Sequence, residues 1–426
     1  MSSTLASDPA LPAVSTLLGT GATALLEAAL APSQGRLLAA RPTDIAWWPG
    51  RSITVAYTAE VAWPRGPESV ETLVAAAGDR APQGALVLSG DVGEVALWRA
   101  PHDPALPGLA PSLDPDVLTA LLAELGVHVD RAGLSTRIMS YRPGRRAVVE
   151  VTAPGTRVFL KVVRPHRAAA IHERHRQLRT HLPVPESLGW SPRHGVVALE
   201  ALPGDTMRDL LATGAPLPGP AAIVELLDAL PAPVDGATSW GWRAAELGAV
   251  VAAASPELAG RVHELAARLE AHEAALDPER HPSVPVHGDL HDAQLLVQDG
   301  ALTGLLDVDT HATGRRVGDL ATMIGHLSTL ATAVPHGEAV RSHAQRLLDR
   351  FDQQVDPVDL RRGVAAVVLG LATGPFRVLE PGWERSTELR VELAERWLAS
   401  ADRLAGVTDE TTLTSASGAA QTHPRR

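Results

Sequence analysis

The chain has 426 residues, a net charge of −11 and 45% hydrophobic residues; this is too long for one ordinary core, implies two or three subdomains, and includes no apolar run of membrane-spanning length. With no cysteine, disulfides, a thiol nucleophile and a zinc–thiolate centre are excluded, and the acidic balance argues against nonspecific nucleic-acid binding. No basic residue precedes Arg36, so the charged start of a secretory signal is missing and a cytoplasmic protein is expected.

Residues 1–40 carry Ala and Leu at helical spacing. Short strands are predicted from Asp44 onward at 53–57, 85–88 and 94–98, with a helix over about 69–77 between them. Five prolines, from Pro101 to Pro115, read as a linker. An internal echo crosses it. Trp48-Pro-Gly-Arg51 feeds an apolar run as Arg142-Pro-Gly-Arg145 does, and Glu94–Pro101 echoes Arg157–Pro165, setting Trp98 where the second copy has Lys161. Residues 1–115 are therefore predicted to be a cap domain and a possible degenerate repeat of the β unit that follows.

Lys161 is the only lysine in the chain. Keeping it in an Arg-rich sequence points to a site that a broad planar guanidinium cannot fill. It ends the run Arg157-Val-Phe-Leu-Lys161-Val-Val163, which reads as a buried strand. Kinase-type folds use a lysine on such a strand to hold nucleotide phosphates. A helix over 166–181 contains Glu173, a possible ion-pair partner. A strand over 196–202 runs into Pro203-Gly204, and helices are predicted over 219–230, 242–276, 316–332, 337–353, 357–371 and 384–404. Trp240 and Trp242 read as packing residues. Residues 407–426 read as a disordered tail.

The densest motif is His287-Gly-Asp289-Leu-His291-Asp292-Ala-Gln294, followed by Asp299-Gly300 and then Asp307-Val-Asp309. Asp-Gly between two apolar stretches predicts a two-residue hairpin loop. In that register facing residues sum to 599, Gln294 lies opposite Leu305, and Asp289, Gln294 and Asp307 gather at one end. Carboxylates and an amide oxygen are hard ligands suited to Mg²⁺. Asp289, ahead of that set, is placed to accept a proton from a substrate hydroxyl.

The ordered set Lys161, Glu173, His287-x-Asp289-x-x-x-x-Gln294, Asp307 and Gly318-Asp319 resembles the aminoglycoside phosphotransferase and choline kinase superfamily over roughly residues 130–405. The resemblance implies an α+β, protein-kinase-like two-lobe fold, with the cap over 1–115, a small lobe over 116–203 and a helical lobe over 204–406. It also implies an ATP- and Mg²⁺-dependent small-molecule kinase. Lys161 would hold the α and β phosphates, Glu173 would position it, Asp289 would be the base, and Gln294 and Asp307 would ligate Mg²⁺. The hinge beside adenine would be Glu200, Ala201 and Leu202. Asp319 would brace the catalytic loop.

Gln294 replaces the usual Asn. Gln there, like the N-terminal cap, is similar to bacterial maltokinases and glucosamine kinases, which points to a sugar or amino-sugar acceptor, with an aminoglycoside or amino alcohol second. Glu380, Trp383 and Glu384, before the last helix, are candidate acceptor contacts. Two other readings stand: a nucleotide-binding pseudokinase with a regulatory role, and a hydrolytic metal centre built on His287, Asp289, His291 and Asp307.

Overall fold

The strand that ends near Lys161 is the middle of a five-stranded antiparallel sheet, and a second sheet with the same strand order precedes it in the chain. The structure is a computed structural model that describes residues 7–233, 236–239, 241–277, 279, 281–335 and 337–406. The tail expected at 407–426 and Trp240 lie outside the described residues.

Two short helices, α1 (Ala13–Leu18) and α2 (Ala22–Leu30), open the cap. They cover one face of the sheet formed by β1 (Arg36–Trp48), β2 (Ser52–Ala62), β3 (Ser69–Gly78), β4 (Leu86–Gly90) and β5 (Gly93–Arg99), in the order β1-β2-β3-β5-β4. After α3 (Pro115–Glu124) come β6 (Ser135–Arg142), β7 (Arg146–Ala153), β8 (Thr156–Val163), α4 (Pro165–Leu178), β9 (Ser187–Ser191) and β10 (Val196–Glu200), in the order β6-β7-β8-β10-β9.

The helix expected over 69–77 is instead the central strand β3. Val70, Leu73, Val74 and Ala77 do show helical spacing, but both faces of the strand are buried. Leu73, Ala75 and Ala77 face the cap core, while Val74 and Ala76 pack with Trp98 and Tyr141 toward the second sheet. A doubly covered strand loses its alternation and imitates a buried helix. The echo is also shifted at its second half. Thr54 pairs with Ala76 as Val148 pairs with Lys161, so Ala76, not Trp98, occupies the position in the cap sheet that corresponds to Lys161.

The proline-rich segment is not a free linker. Leu106 and Leu109 are fully buried in the core of the second sheet. Asp103 accepts hydrogen bonds from Tyr141 Oη at 2.8 Å and Gly144 N at 2.7 Å, and Trp98 Nε1 donates to the same Tyr141 hydroxyl at 3.1 Å. This buried chain of polar bonds, each member satisfied, fixes the cap against the small lobe.

The rest of the chain is the large lobe. A two-residue strand β11 (Asp205–Thr206) leads into α5 (Met207–Thr213), α6 (Pro220–Asp228), α7 (Ala244–Ala254) and α8 (Ala259–Ala275). Then come β12 (Ser283–Val286), β13 (Leu295–Gln298), β14 (Ala301–Leu305) and β15 (Ala312–Arg315). Five helices close the lobe: α9 (Arg316–Ala333), α10 (Gly337–Phe351), α11 (Pro357–Leu371), α12 (Gly374–Arg377) and α13 (Trp383–Leu404). The fold is thus α+β, protein-kinase-like and two-lobed. No helix among the described residues is long and apolar enough to cross a membrane.

Candidate active site

Asp299 and Gly300 both have positive φ, 52° and 79°, and Gln298 pairs with Ala301 across them, which is the primed two-residue turn that Asp-Gly favours. The register then slips by one. Leu295 pairs with Leu305 rather than Gln294 doing so, because a bulge between Leu296 and Val297 takes up Thr303, whose hydroxyl donates to the Pro203 carbonyl at 2.8 Å. Gln294 therefore faces Leu306, whose N–H donates to its carbonyl at 2.8 Å. The hairpin still brings Asp307 back beside the 287–294 loop.

Backbone hydrogen bonds to buried Asp319 hold that loop. Its two carboxylate oxygens accept from His287 N at 2.7 Å and Gly288 N at 2.8 Å. His287 Nδ1 accepts from Asp289 N at 3.3 Å and its Nε2 faces the Leu306 carbonyl at 2.9 Å, which fixes the Nε2–H tautomer. Gly288 has φ +85°, and a Cβ there would lie 2.4 Å from the Thr310 carbonyl oxygen. Gly288→Ala is expected to lower stability by about 2 kcal/mol or more, through left-handed strain and this backbone clash. Urea denaturation measures it.

Lys161 is buried, and its Nζ lies 2.8 Å from Asp307 and 2.7 Å from Asp309. Arg146 adds a second cation to Asp307 at 3.1 Å. Burial opposes ionisation of Asp307, yet Lys161 and Arg146 hold its carboxyl well below the usual range. Asp289 lies under the opposite influence. Burial pushes it up to about 6, the nearby Asp307 adds to this, and His287, Arg146 and Arg142 pull the other way.

Glu173 does not meet Lys161. It is half exposed and pairs with Arg176 at 2.9 Å. The helical period explains this: α4 buries Ala168, Ile171, His175 and Leu178, and Glu173, two residues from His175, falls on the opposite side. Asp307 and Asp309 supply the negative charge that Glu173 was expected to bring. Trp383 is likewise displaced from the expected acceptor contacts. It packs edge-on against Phe376, with ring centroids 5.0 Å apart, and Phe376 belongs to the cap core beside Trp47. Glu380 accepts from Ser386 at 3.0 Å. Glu384 lies in the first turn of α13, and no contact brings it to Asp289 among the described residues. Glu200 ends the ladder between β10 and β8, leaving Ala201 and Leu202 beyond it. The Glu200 carboxylate lies 3.9 Å from Arg179.

The donor set fits Mg²⁺, with one change of ligand. Asp307 is an ionised carboxylate, and Asp309 Oδ1 is buried without any hydrogen-bond partner, an orphaned hard oxygen of the kind a cation satisfies. Gln294 is engaged elsewhere, since its amide lies 3.2 Å from His291 Nε2. His291 Nδ1 accepts from Ala293 N and burial takes this imidazole down to about 4. Neutral His291 therefore carries its proton on Nε2, and the Gln294 amide, whose Nε2 faces that nitrogen, must turn its oxygen to it as acceptor. Asp307 and Asp309 are the better oxygen pair. The hydrolytic centre fails on the same geometry, because both ring nitrogens of His287 and of His291 are already used. Asp289, His291 and His326 do come together, with the two imidazoles stacked at 4.2 Å.

Sequence reasoning missed several members. Arg208 grips fully buried Asp292 through two hydrogen bonds of 2.6 and 3.0 Å, tying the start of α5 to the 287–294 loop. His326 and Arg146 come from distant parts of the chain, and no local spacing marks them. Asp289 opens onto a cavity of about 570 Å³, walled also by Arg174, Trp242, Arg243, His326 and Leu371. A lysine-bearing sheet set over a carboxylate hairpin, with a cavity beyond it in the helical lobe, defines a phosphotransferase of the kinase-like class.

Residues 138–355, just over half of the chain, match the family model described as the phosphotransferase enzyme family, APH. The chain belongs to that family and is a small-molecule phosphotransferase of the aminoglycoside phosphotransferase and choline kinase superfamily. Among solved structures it is similar to the apoenzyme of macrolide 2′-phosphotransferase MphH from Brachybacterium faecium. That match has 21% identity, covers 66% of this chain and 97% of that one, and has a TM-score of 0.41. It is similar too to aminoglycoside phosphotransferase APH(3'')-Id from Streptomyces rimosus, with 19% identity over 60% and 97% of the two chains and a TM-score of 0.42. A thermostable mutant of aminoglycoside phosphotransferase APH(4)-Ia gives 14% identity, 68% and 99% coverage, and a TM-score of 0.45. No curated protein matches the chain.

Proposed function

We propose that the protein transfers the γ-phosphoryl group of ATP to a hydroxyl of a sugar-class acceptor, with Asp289 as the base. The observation that carries this reading is geometric: Asp307 is paired with Lys161 at 2.8 Å and with Arg146 at 3.1 Å, whereas Asp289 lines the acceptor cavity without an ion pair among the described residues. Asp307, beside Lys161, is held ionised, and Asp289, on the acceptor cavity, is raised to about 6. Two titratable groups driven apart by their surroundings take up different tasks.

Lys161 neutralises nucleotide phosphates from the small lobe, while Ala201 and Leu202 offer backbone groups to adenine. Asp307 and Asp309 would hold Mg²⁺, which supplies charge neutralisation on the phosphates when bound. Asp289 aligns the acceptor hydroxyl and takes its proton as the oxygen attacks. Asp319 and His287 act through the loop, fixing the Asp289 backbone without touching the reacting atoms. The cap is a degenerate copy of the small-lobe sheet with Ala76 in place of the lysine, and it does not bind phosphate through that position. Likeness to bacterial maltokinases and glucosamine kinases in the Gln294 motif and the cap supports the sugar class, and a cytoplasmic protein suits ATP as donor. Phosphorus NMR of a reaction with Mg-ATP and a mixture of sugars and sugar phosphates tests this. The γ signal is expected to give way to a phosphomonoester signal, and its conversion to inorganic phosphate alone would contradict transfer to a hydroxyl.

A further inference from the structure

Between the cap and the small lobe lies a cavity of about 710 Å³, lined by Trp48 and Arg80 from the cap and by Arg145, Arg164, His166 and Arg167 from the kinase side. The chain has 49 acidic residues against 38 Lys and Arg, yet the one carboxylate in this wall is Asp79, already paired with Arg51 at 3.1 Å. Among the described residues none of Arg80, Arg145, Arg164 and Arg167 forms an ion pair with a carboxylate. They are positioned by other means. The Arg80 guanidinium lies 4.8 Å from the centre of the Trp48 ring, and Arg164 donates to the Gly144 carbonyl at 3.0 Å. Burial lowers Arg145 to about 10, and Arg142, Arg80, Arg146 and Arg167 press it the same way. Such a gathering of like charges is unfavourable until something anionic enters. Helix α4 starts in the same wall with no side-chain cap on its first N–H groups, which adds partial positive charge.

The cavity shares a wall residue with the acceptor side. Arg167 lines both this cavity and the one that holds Asp289. Trp48, whose ring carries Arg80, also carries Arg243 from the acceptor cavity at 5.3 Å. The turn from Arg142 to Arg146 divides its charges between the two sides: Arg146 reaches Asp307 at 3.1 Å while Arg145 lines the cap cavity.

We propose that the acceptor already carries a phosphate group, which the arginines of the cap cavity hold while its free hydroxyl lies at Asp289. This rests on the kinase reading above and narrows its substrate class to phosphorylated sugars or polyols. Guanidinium forks match phosphate oxygens in pairs, and a polycationic acceptor meets charge of its own sign. In the step, the acceptor oxygen bonds to the γ-phosphorus and the bond from that phosphorus to the bridging oxygen of ADP breaks. The hydroxyl proton passes to Asp289, and the phosphate already present is unchanged, so the product carries two phosphates. The cap thereby becomes part of the acceptor site.

Two arms test this, and the first needs no turnover. With the nucleotide site filled by Mg-AMP-PNP, inorganic phosphate is expected to raise the melting temperature beyond what chloride does at equal ionic strength. That difference is expected to vanish in Arg80→Glu, whose affinity for Mg-AMP-PNP should match wild type. No phosphate-specific shift, or the same shift in Arg80→Glu, would overturn the proposal. In the second arm a sugar, its phosphate ester, its uronic acid and its amino derivative are compared as acceptors. The phosphate ester is expected to be used best, with KM raised about tenfold or more in Arg80→Glu, where a repulsive carboxylate replaces a phosphate contact. Preference for the neutral or amino sugar would overturn it, and preference for the uronic acid would replace phosphate by carboxylate and overturn the stated class. If the first arm succeeds and no acceptor is phosphorylated at all, the kinase reading fails instead.

Discussion

Replacing Asp289 with Asn is expected to lower kcat by roughly a hundredfold or more, the scale on which a positioned base contributes, while Mg-ATP binds as before. In the proposed function the nucleotide side is served by Lys161, Asp307 and Asp309, which are paired with one another and not with the Asp289 side chain. The same carboxyl predicts the pH profile. Its ordinary value is near 3.8 and burial raises it to about 6, and the base acts only when ionised. Activity should therefore be level above about pH 7 and fall tenfold per unit below about pH 6. The sign for stability is the reverse of the usual carboxylate case. A folded-state pKa above the unfolded one means the native state binds more protons between the two values, so stability declines as pH rises from about 4 to 6. Asn, which carries no charge, escapes this cost, and Asp289→Asn should melt at the wild-type temperature or above it. Inactivity with an unchanged or higher melting temperature separates a lost base from a damaged fold.

Lys161→Met is expected to lower kcat/KM for ATP by roughly a hundredfold or more, as when an electrostatic contact to developing charge is removed. It should also destabilise the protein, by about 3 kcal/mol, because Asp307 and Asp309 lose the cation between them while remaining largely buried. Lys161→Arg keeps the charge and should recover stability before activity. The Lys161 side chain is only 6% exposed and contacts two carboxylates at 2.7 and 2.8 Å, leaving a planar fork little room to reach both and still face a nucleotide. Steady-state kinetics and urea melts of the two variants give the comparison. An arginine variant with wild-type kcat/KM would contradict the role assigned to a lone lysine.

Much of the kinase core was legible because its signals are local. The Asp-Gly turn forces positive φ at both positions, the apolar run around Lys161 is a buried strand, and α6, α9, α10, α11 and α13 show clear periods and stops, whereas the single helix read over 242–276 is two, α7 and α8, broken at Ser255-Pro256, and the short α12 was not read. What the sequence misled on depends on tertiary cover. Residues 69–77 read as a helix because neighbours on both faces removed their alternation, and the segment from Pro101 to Pro115 read as a linker although Leu106 and Leu109 are core residues. In the site, the hairpin turn brings Asp307 back beside Asp289 as its spacing predicts, and Lys161 stands out as the lone lysine on a buried strand. Glu173 failed because the motif order says nothing of helix phase, and the burial of His175 turned it outward. Gln294 was read as a ligand, yet a one-residue bulge and the His291 tautomer tie its amide down, and Asp309 holds the orphaned oxygen. The basic cavity under the cap joins residues from Trp48 to Arg167 and is invisible to any local pattern.

The measurement that bears most directly on the central claim is acceptor-dependent ADP release from Mg-ATP, across sugars, sugar phosphates, amino sugars and amino alcohols, with Asp289→Asn as the blank. The account predicts release that depends on the acceptor and falls to near the blank in the variant. Release that is the same with every acceptor and with none, or that survives in Asp289→Asn, would contradict it.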